Sequence, residues 1–259
     1  MKNITVILPI HKINDEYQTM LNNAVASVDQ FNTDVKLIVV CPKAIAKKIK
    51  INSETLEFSI LENKDDTDFC SQVNLGIEKC DTEWFSILEV DDEYKPIWLK
   101  SITEYVKIYA DNDIFLPIVK DTNVDDKFIS FMNESVWAYG FTDRQGFLDN
   151  ETLLDFQNYQ TSGGLFKTSV IKENGSFKSN IKLTFIYEFF LRMTHNGVRI
   201  MTVPRIGYQH KNLREDSLFW LLKNDDKTKL SEKEVKYWLD TAKKEFFFKN
   251  KRDVNYVEA

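Results

Sequence analysis

Cysteine is scarce and scattered: Cys41, Cys70 and Cys80 are the only three in 259 residues, and no two stand at Cys-x-x-Cys spacing. Such a set argues against a disulfide framework and against a zinc site, and it fits a reducing compartment. Long apolar runs are missing as well, with nothing approaching the roughly 20 residues needed to span a bilayer. The opening stretch Met1-Lys2-Asn3-Ile4-Thr5-Val6-Ile7-Leu8-Pro9 has a short apolar run and no small-residue cleavage site. It therefore reads as a core strand of a cytoplasmic protein rather than a secretory signal. Arginine is rare, six against 28 lysines, and the net charge is −6. That balance disfavours a large nonspecific nucleic-acid surface. The lysine bias, with plentiful Asn, Ile and Phe, reflects an AT-rich genome more than chemistry. No repeat and no low-complexity linker interrupts the chain.

What remains is an ordinary globular composition, 43% apolar and 29% charged, long enough to bury a large core. Ile4 to Ile10, Val35 to Val40, Leu56 to Leu61 and Trp84 to Val90 read as strands. Between them, Tyr17, Met20, Leu21, Ala24, Val25, Val28 and Phe31 recur at helical spacing, as do Val73 and Ile77 within Phe69 to Cys80. This alternation predicts an α/β fold with a mostly parallel sheet covered by helices on both faces. Pro96 opens a further helix carrying Trp98, Leu99, Ile102, Tyr105, Val106 and Tyr109, and Ile114 to Val119 reads as another strand. Residues 121 to 160 form an irregular, aromatic-rich stretch. A helix over Phe185 to Thr194 and a strand over Arg199 to Val203 follow. Two helices, Ser217 to Leu222 and Ser231 to Phe248, close the chain. The simplest division is a catalytic-type domain over 1–212 and a helical C-terminal extension over 213–259.

The chemistry concentrates in Ser86-Ile87-Leu88-Glu89-Val90-Asp91-Asp92-Glu93, an apolar strand running into acids. If the strand continues to Val90, Glu89 and Asp91 share a face. Carboxylates crowded at a strand end repel one another unless something positive sits between them. A divalent cation carrying a phosphate-bearing substrate fills that role, at the carboxyl edge where open α/β sheets bind ligands. The alternative is a solvated acidic turn.

The order of these features resembles the family 2 glycosyltransferases, whose nucleotide-sugar-binding domain is the Rossmann-like GT-A fold. Ile4 to Lys12 is similar to that family's opening strand. Asn74-Leu75-Gly76-Ile77 resembles the Asn-x-Gly-Ile of the helix before the metal motif. Leu88-Glu89-Val90-Asp91-Asp92 matches Leu-Asp-x-Asp-Asp with Glu89 in place of the first Asp. Ser162-Gly163-Gly164-Leu165-Phe166 resembles the small-residue segment on the acceptor side. Phe190 to Met193, Gly197 to Ile200, Val203-Pro204 and Tyr208-Gln209-His210 follow in family order. Three departures stand out. Val40-Cys41-Pro42-Lys43 replaces the acidic pair that helps hold the nucleotide base. Phe185-Ile186 occupies the place of the Glu-Asp carrying the catalytic base. Glu89 is one methylene longer than Asp.

The resemblance implies a metal-dependent, inverting transfer of a sugar from a UDP- or GDP-linked donor to an acceptor hydroxyl, with Mn²⁺ or Mg²⁺ as cofactor. On this reading Asp91 is the direct metal ligand, Glu89 assists, and His210 completes the site. Donor contacts are expected from Pro9, His11, Asp65, Asp68, Asn74, Glu89 and Asp91. Glu188 is the nearest candidate base, although an i,i+4 pair with Arg192 is its alternative. Asp143 and Asp149 are further base candidates. Acceptor contacts are expected from Trp137, Tyr139, Ser162, Gly163 and Gly164, the aromatics by stacking on sugar C–H faces or nucleic-acid bases. The acceptor is then a glycan, a lipid-linked sugar or a DNA base. The basic-aromatic Lys243 to Arg252 could touch a membrane, nucleic acid or partner, or simply pack as an amphipathic helix. A non-catalytic nucleotide-binding relative of the fold is the remaining alternative.

Overall fold

A computed structural model describes residues 4–31, 35–64, 68–212, 214–215 and 217–244. The apolar runs at the front of the chain form three parallel strands, β1 (Ile4–Pro9), β2 (Val35–Pro42) and β3 (Glu57–Asn63). Helix α1 (Asp15–Asp29) starts where the Asn14 side chain accepts the Tyr17 N–H at 2.8 Å, satisfying one of the orphan donors of its first turn. A single helical turn, α2 (Lys43–Ala46), follows β2. Helix α3 (Phe69–Lys79) is capped in the same way by Asp68, which accepts the Ser71 N–H. It leads into β4 (Trp84–Ile87), parallel to β1.

The two-residue β5 (Glu93–Tyr94) precedes α4 (Trp98–Ile108), β6 (Ile114–Thr122) and β7 (Phe128–Met132). After β8 (Phe147–Leu148) come α5 (Asn150–Asp155), β9 (Leu165–Lys167) and α6 (Thr168–Asn174). Helix α7 (Phe185–His195) and the long β10 (Ile200–Lys211) complete the sheet. The spatial order is β3-β2-β1-β4-β9-β6-β10-β5, with β7 beside β6 and β8 beside β10. β6 and β10 are parallel to each other, whereas β9 lies antiparallel between β4 and β6. The sheet is thus mostly parallel in its first half and mixed in its second.

Strand alternation sorts the core onto two faces. Val6 and Leu8 of β1 join α1 and the Trp98–Ile102 side of α4, while Ile7 joins α3, α5, α6 and α7. Gly76 is where α3 rides closest to the sheet, because a Cβ there would lie 2.5 Å from the Ile7 side chain. Helices α8 (Leu218–Asn224) and α9 (Glu232–Lys244) pack back on α7: the Phe219 ring stacks on Phe185, and Ala242 is fully buried. The basic-aromatic segment beyond residue 244 lies outside the described residues. No helix among them is long and apolar enough to cross a membrane.

The predicted fourth strand ends early. β4 stops at Ile87, and Glu89 to Asp92 form a turn closed by the Asp92 N–H donating to the Glu89 carbonyl at 3.1 Å. An i to i+3 turn brings its first and last residues together, so Glu89 converges with Asp92 rather than sharing a strand face with Asp91. The predicted strand 199–203 extends to Lys211 as β10. Register shifts between Val203 and Tyr208 absorb the missing N–H donor of Pro204. The irregular stretch after residue 121 contains the β6–β7 hairpin, β8 and α5.

Candidate functional site

The acidic turn sits at the carboxyl ends of β1 and β4, anchored by Leu88 N–H donating to the Ile7 carbonyl. The end of β10 comes alongside it and brings His210. Its Nδ1 lies 3.0 Å from Asp92 Oδ2, while the Lys211 N–H donates to Asp92 Oδ1 at 2.8 Å. One ligand atom from each of Glu89, Asp92 and His210 lies within 4.8 Å of the other two, the separation a single cation can bridge. Asp91 projects elsewhere, pairing with Arg214 at 3.0 Å. Arg214 also donates to Tyr17 Oη at 2.6 Å, and that hydroxyl stands 3.4 Å from His11 Nε2. Lys12 lies over the Tyr17 ring at 4.5 Å. Five charged groups, Glu89, Asp91 and Asp92 from the turn after β4, His210 from β10 and Arg214 beyond it, therefore gather beside the His11 and Tyr17 side chains that follow β1.

Support for Glu89 comes from underneath. Ser162 Oγ donates to its Oε1 at 2.6 Å, and its own N–H donates to Tyr208 Oη at 3.1 Å. Gly163 locks this arrangement: its N–H bonds the Ile87 carbonyl and its carbonyl accepts Trp98 Nε1–H. With φ at +77° and a would-be Cβ 2.6 Å from the Tyr208 ring, the position requires glycine. Gly164 is similarly tight, against Phe166 and the Thr161 carbonyl.

The electrostatics follow from burial and crowding. Burial, followed by the charge of Asp92, pushes the Glu89 carboxyl up to about 7. Asp91 is likewise raised, by burial and Asp92, although Arg214 opposes the shift. Burial would lower the His210 imidazole, but the charge and hydrogen bond of Asp92, with Glu89 and Asp91 behind it, lift it to about 10. Two carboxylates and an imidazole this close together are a group that could hold a cation.

Other expected site residues have different duties. Glu188 is completely buried and held by Lys178 and Arg192, each at 2.9 Å. Arg192 is further fixed by the carbonyls of Asn174, Gly175 and Ser176. This is an internal ion cluster, and it contains the i,i+4 pairing with Arg192 that was the alternative to a base role for Glu188. The family's base positions are filled by Phe185, buried among Phe69, Phe177 and Phe219, and by Ile186. Asn74 spends its amide on Phe177, accepting its N–H at 2.9 Å and donating to its carbonyl at 2.7 Å. Asp68 caps α3, and Asp65 lies outside the described residues. Pro9 is buried at the end of β1 beside Val40.

Trp137 donates its indole N–H to the Thr202 carbonyl and covers Gly146, so it is a packing residue. Tyr139 is fully exposed beside a cleft of about 600 Å³ that Phe141, Asp143 and Asp149 also line; Asp149 caps α5. Ser162 to Gly164 buttress the acid turn. Sequence reasoning missed Arg214, Tyr17 and Tyr208, which reach the turn only through tertiary folding.

Comparison with known proteins agrees with this fold. The family model for glycosyl transferase family 2 matches residues 14–173. Among solved structures, S. aureus TarS 1-349 in complex with UDP-GlcNAc superposes with a TM-score of 0.63 at 15% identity, covering 95% of this chain and 72% of that one. The same TarS fragment in complex with UDP gives 0.61 at 15% identity, covering 97% and 73%. TarS itself gives 0.59 at 14% identity, covering 97% of this chain and 44% of its own length. No curated protein matches by sequence. With most of the chain inside the family model, the protein belongs to glycosyl transferase family 2 and is a glycosyltransferase.

Proposed function

We propose that the chain transfers a sugar from a UDP- or GDP-linked donor to an acceptor hydroxyl with inversion, and that a divalent cation at Glu89, Asp92 and His210 is required. The convergence of those three ligand atoms within 4.8 Å carries the reading. Two carboxylates and an imidazole suit Mn²⁺, and the oxygen donors also admit Mg²⁺. Such a cation, when bound, neutralises the leaving diphosphate as a Lewis acid.

The chain's own residues supply the rest. Arg214 sets positive charge against the acid turn through Asp91, and Lys12 lies over the Tyr17 ring that Arg214 also touches; the diphosphate of a donor would lie against these cations. Asp91, gripped by Arg214, fixes the orientation of that guanidinium. The Pro9–His11 segment borders the same mouth through the His11–Tyr17 contact, which favours it for nucleotide contact. Ser162, Gly163 and Tyr208 hold Glu89 in place, so its reach does not depend on a mobile side chain. Tyr139 and its cleft offer an exposed ring and carboxylates suited to a sugar acceptor.

The test is release of nucleoside diphosphate from a panel of UDP- and GDP-sugars in MnCl₂, with EDTA and Asp92→Ala as controls. Release that both controls abolish is expected. Release indifferent to EDTA would overturn the metal assignment, and no release or binding with any donor would overturn the donor reading.

A further inference from the structure

One charged group beside the acid turn has no role in the account so far. Asp121, near the carboxyl end of β6, is 97% buried, being only 3% exposed. Its Oδ2 accepts Ser130 Oγ–H at 3.2 Å and Asn212 Nδ2–H at 3.3 Å, both long contacts from neutral donors. Its Oδ1 is enclosed and accepts no hydrogen bond. The other buried side-chain atoms left without partners among the described residues belong to amides and hydroxyls, so Asp121 is the one carboxylate in this condition. A buried acceptor left without a donor costs its desolvation energy. Buried Glu188 shows how this fold treats a carboxylate that serves stability: it gives it two cations.

The position of Asp121 says what is missing. β6 and β10 are parallel, and Asp121 is the register partner of His210. Paired residues on neighbouring strands project from the same face, about 4.8 Å apart. Asp121 thus lies one strand over from the imidazole of the cation cluster, on the same face. Its hydrogen-bond neighbours Ser130 and Asn212, both bonded to Oδ2, are only half-buried. An acceptor-only oxygen is satisfied by an N–H or O–H donor. The ligand portion adjoining a diphosphate in this family's chemistry is a sugar ring, which is rich in hydroxyls.

We infer that Asp121 Oδ1 binds a hydroxyl of the donor's glycosyl unit and helps select the sugar. The inference rests on the donor reading proposed above and adds to it a specificity-determining residue. A site built around a sugar hydroxyl leaves an unpaired acceptor when that hydroxyl is absent, which is the physical source of discrimination.

The experiment compares wild type with Asp121→Asn by calorimetric titration in Mn²⁺. The ligands are UDP against UDP-GlcNAc and UDP-glucose, and GDP against GDP-mannose. Expected is an unchanged affinity for the free nucleotide, with the sugar-nucleotide losing at least tenfold of its affinity relative to that nucleotide. The ligand-free melting temperature should stay level or rise, because the amide replaces a carboxyl group of the same shape whose Oδ1 has no hydrogen-bond partner. An unchanged ratio, with nucleotide still bound, overturns the assignment of Asp121 and leaves the donor reading standing. Equal losses for nucleotide and sugar-nucleotide, or a fall of several degrees in the ligand-free protein, would make Asp121 a structural residue and also overturn it. Failure of wild type to bind any of these nucleotides sinks the donor reading and the inference together.

Discussion

Gly163→Ala tests how the acid turn is supported. At this position φ is +77°, and an added Cβ would stand 2.6 Å from Cγ and Cδ2 of Tyr208 and 2.8 Å from its Cβ. The ring has nowhere to go. It is fully buried, packs edge-on against Tyr94 at 5.4 Å, and uses its hydroxyl to accept the Glu89 N–H. A left-handed conformation costs a non-glycine residue about 1–2 kcal/mol, and overpacking a filled core adds about 1–3 kcal/mol. Together these give roughly 2–5 kcal/mol, a fall of about 4–20 °C in melting temperature for a domain of this size. Gly197→Ala is the matched control: φ is +80°, but nothing lies within 4 Å of its would-be Cβ, so only the backbone cost of about 1–2 kcal/mol remains. Scanning calorimetry on both variants, with Mn²⁺ affinity measured alongside, separates the terms. Gly163→Ala should be the less stable variant and the only one to weaken Mn²⁺ binding. Equal melting temperatures with unchanged Mn²⁺ affinity would refute the idea that this glycine and Tyr208 jointly set the position of Glu89.

Other outcomes follow from the same contacts. Because burial and Asp92 push Glu89 up to about 7 from 4.5, its contribution to stability is full below about pH 4.5 and is lost as pH rises through 7. Without metal, Glu89→Gln should therefore melt above wild type at pH 8 and level with it near pH 4.5; the reverse order would contradict the assignment. Glu188→Gln breaks a buried ion cluster and should cost about 3–5 kcal/mol in urea unfolding, while donor turnover per folded molecule stays close to wild type. A thousandfold loss of turnover at unchanged stability would return Glu188 to the role of base. Asn74→Ala removes both hydrogen bonds to Phe177 and should cost about 1–3 kcal/mol without altering nucleotide affinity, as measured by calorimetric titration.

Much of the fold is legible in the chain because β1 and β2 are continuous apolar runs separated by an amphipathic helix, a pattern only a buried parallel sheet satisfies. β9 is harder to read: three residues, Leu165 to Lys167, carry no periodicity, and their antiparallel insertion between β4 and β6 is a tertiary event. The candidate site divides similarly. Its address at Glu89 to Asp92 is visible as acids after an apolar strand, but the choice among them is not. A strand through Val90 pairs Glu89 with Asp91, whereas the turn that forms pairs Glu89 with Asp92. Arg214 then claims Asp91 from 123 residues away, a contact no local pattern announces. Glu188 shows the converse: its spacing from Arg192 already contained the ion pair that the structure contains.

The central claim is that Glu89, Asp92 and His210 together hold a divalent cation. Titration of the protein with Mn²⁺, following the free-ion electron paramagnetic resonance signal, tests it directly in wild type, Asp92→Asn and His210→Ala. One tight site in wild type, weakened at least tenfold in each variant, is the predicted result. Undiminished Mn²⁺ binding in both variants would contradict the account.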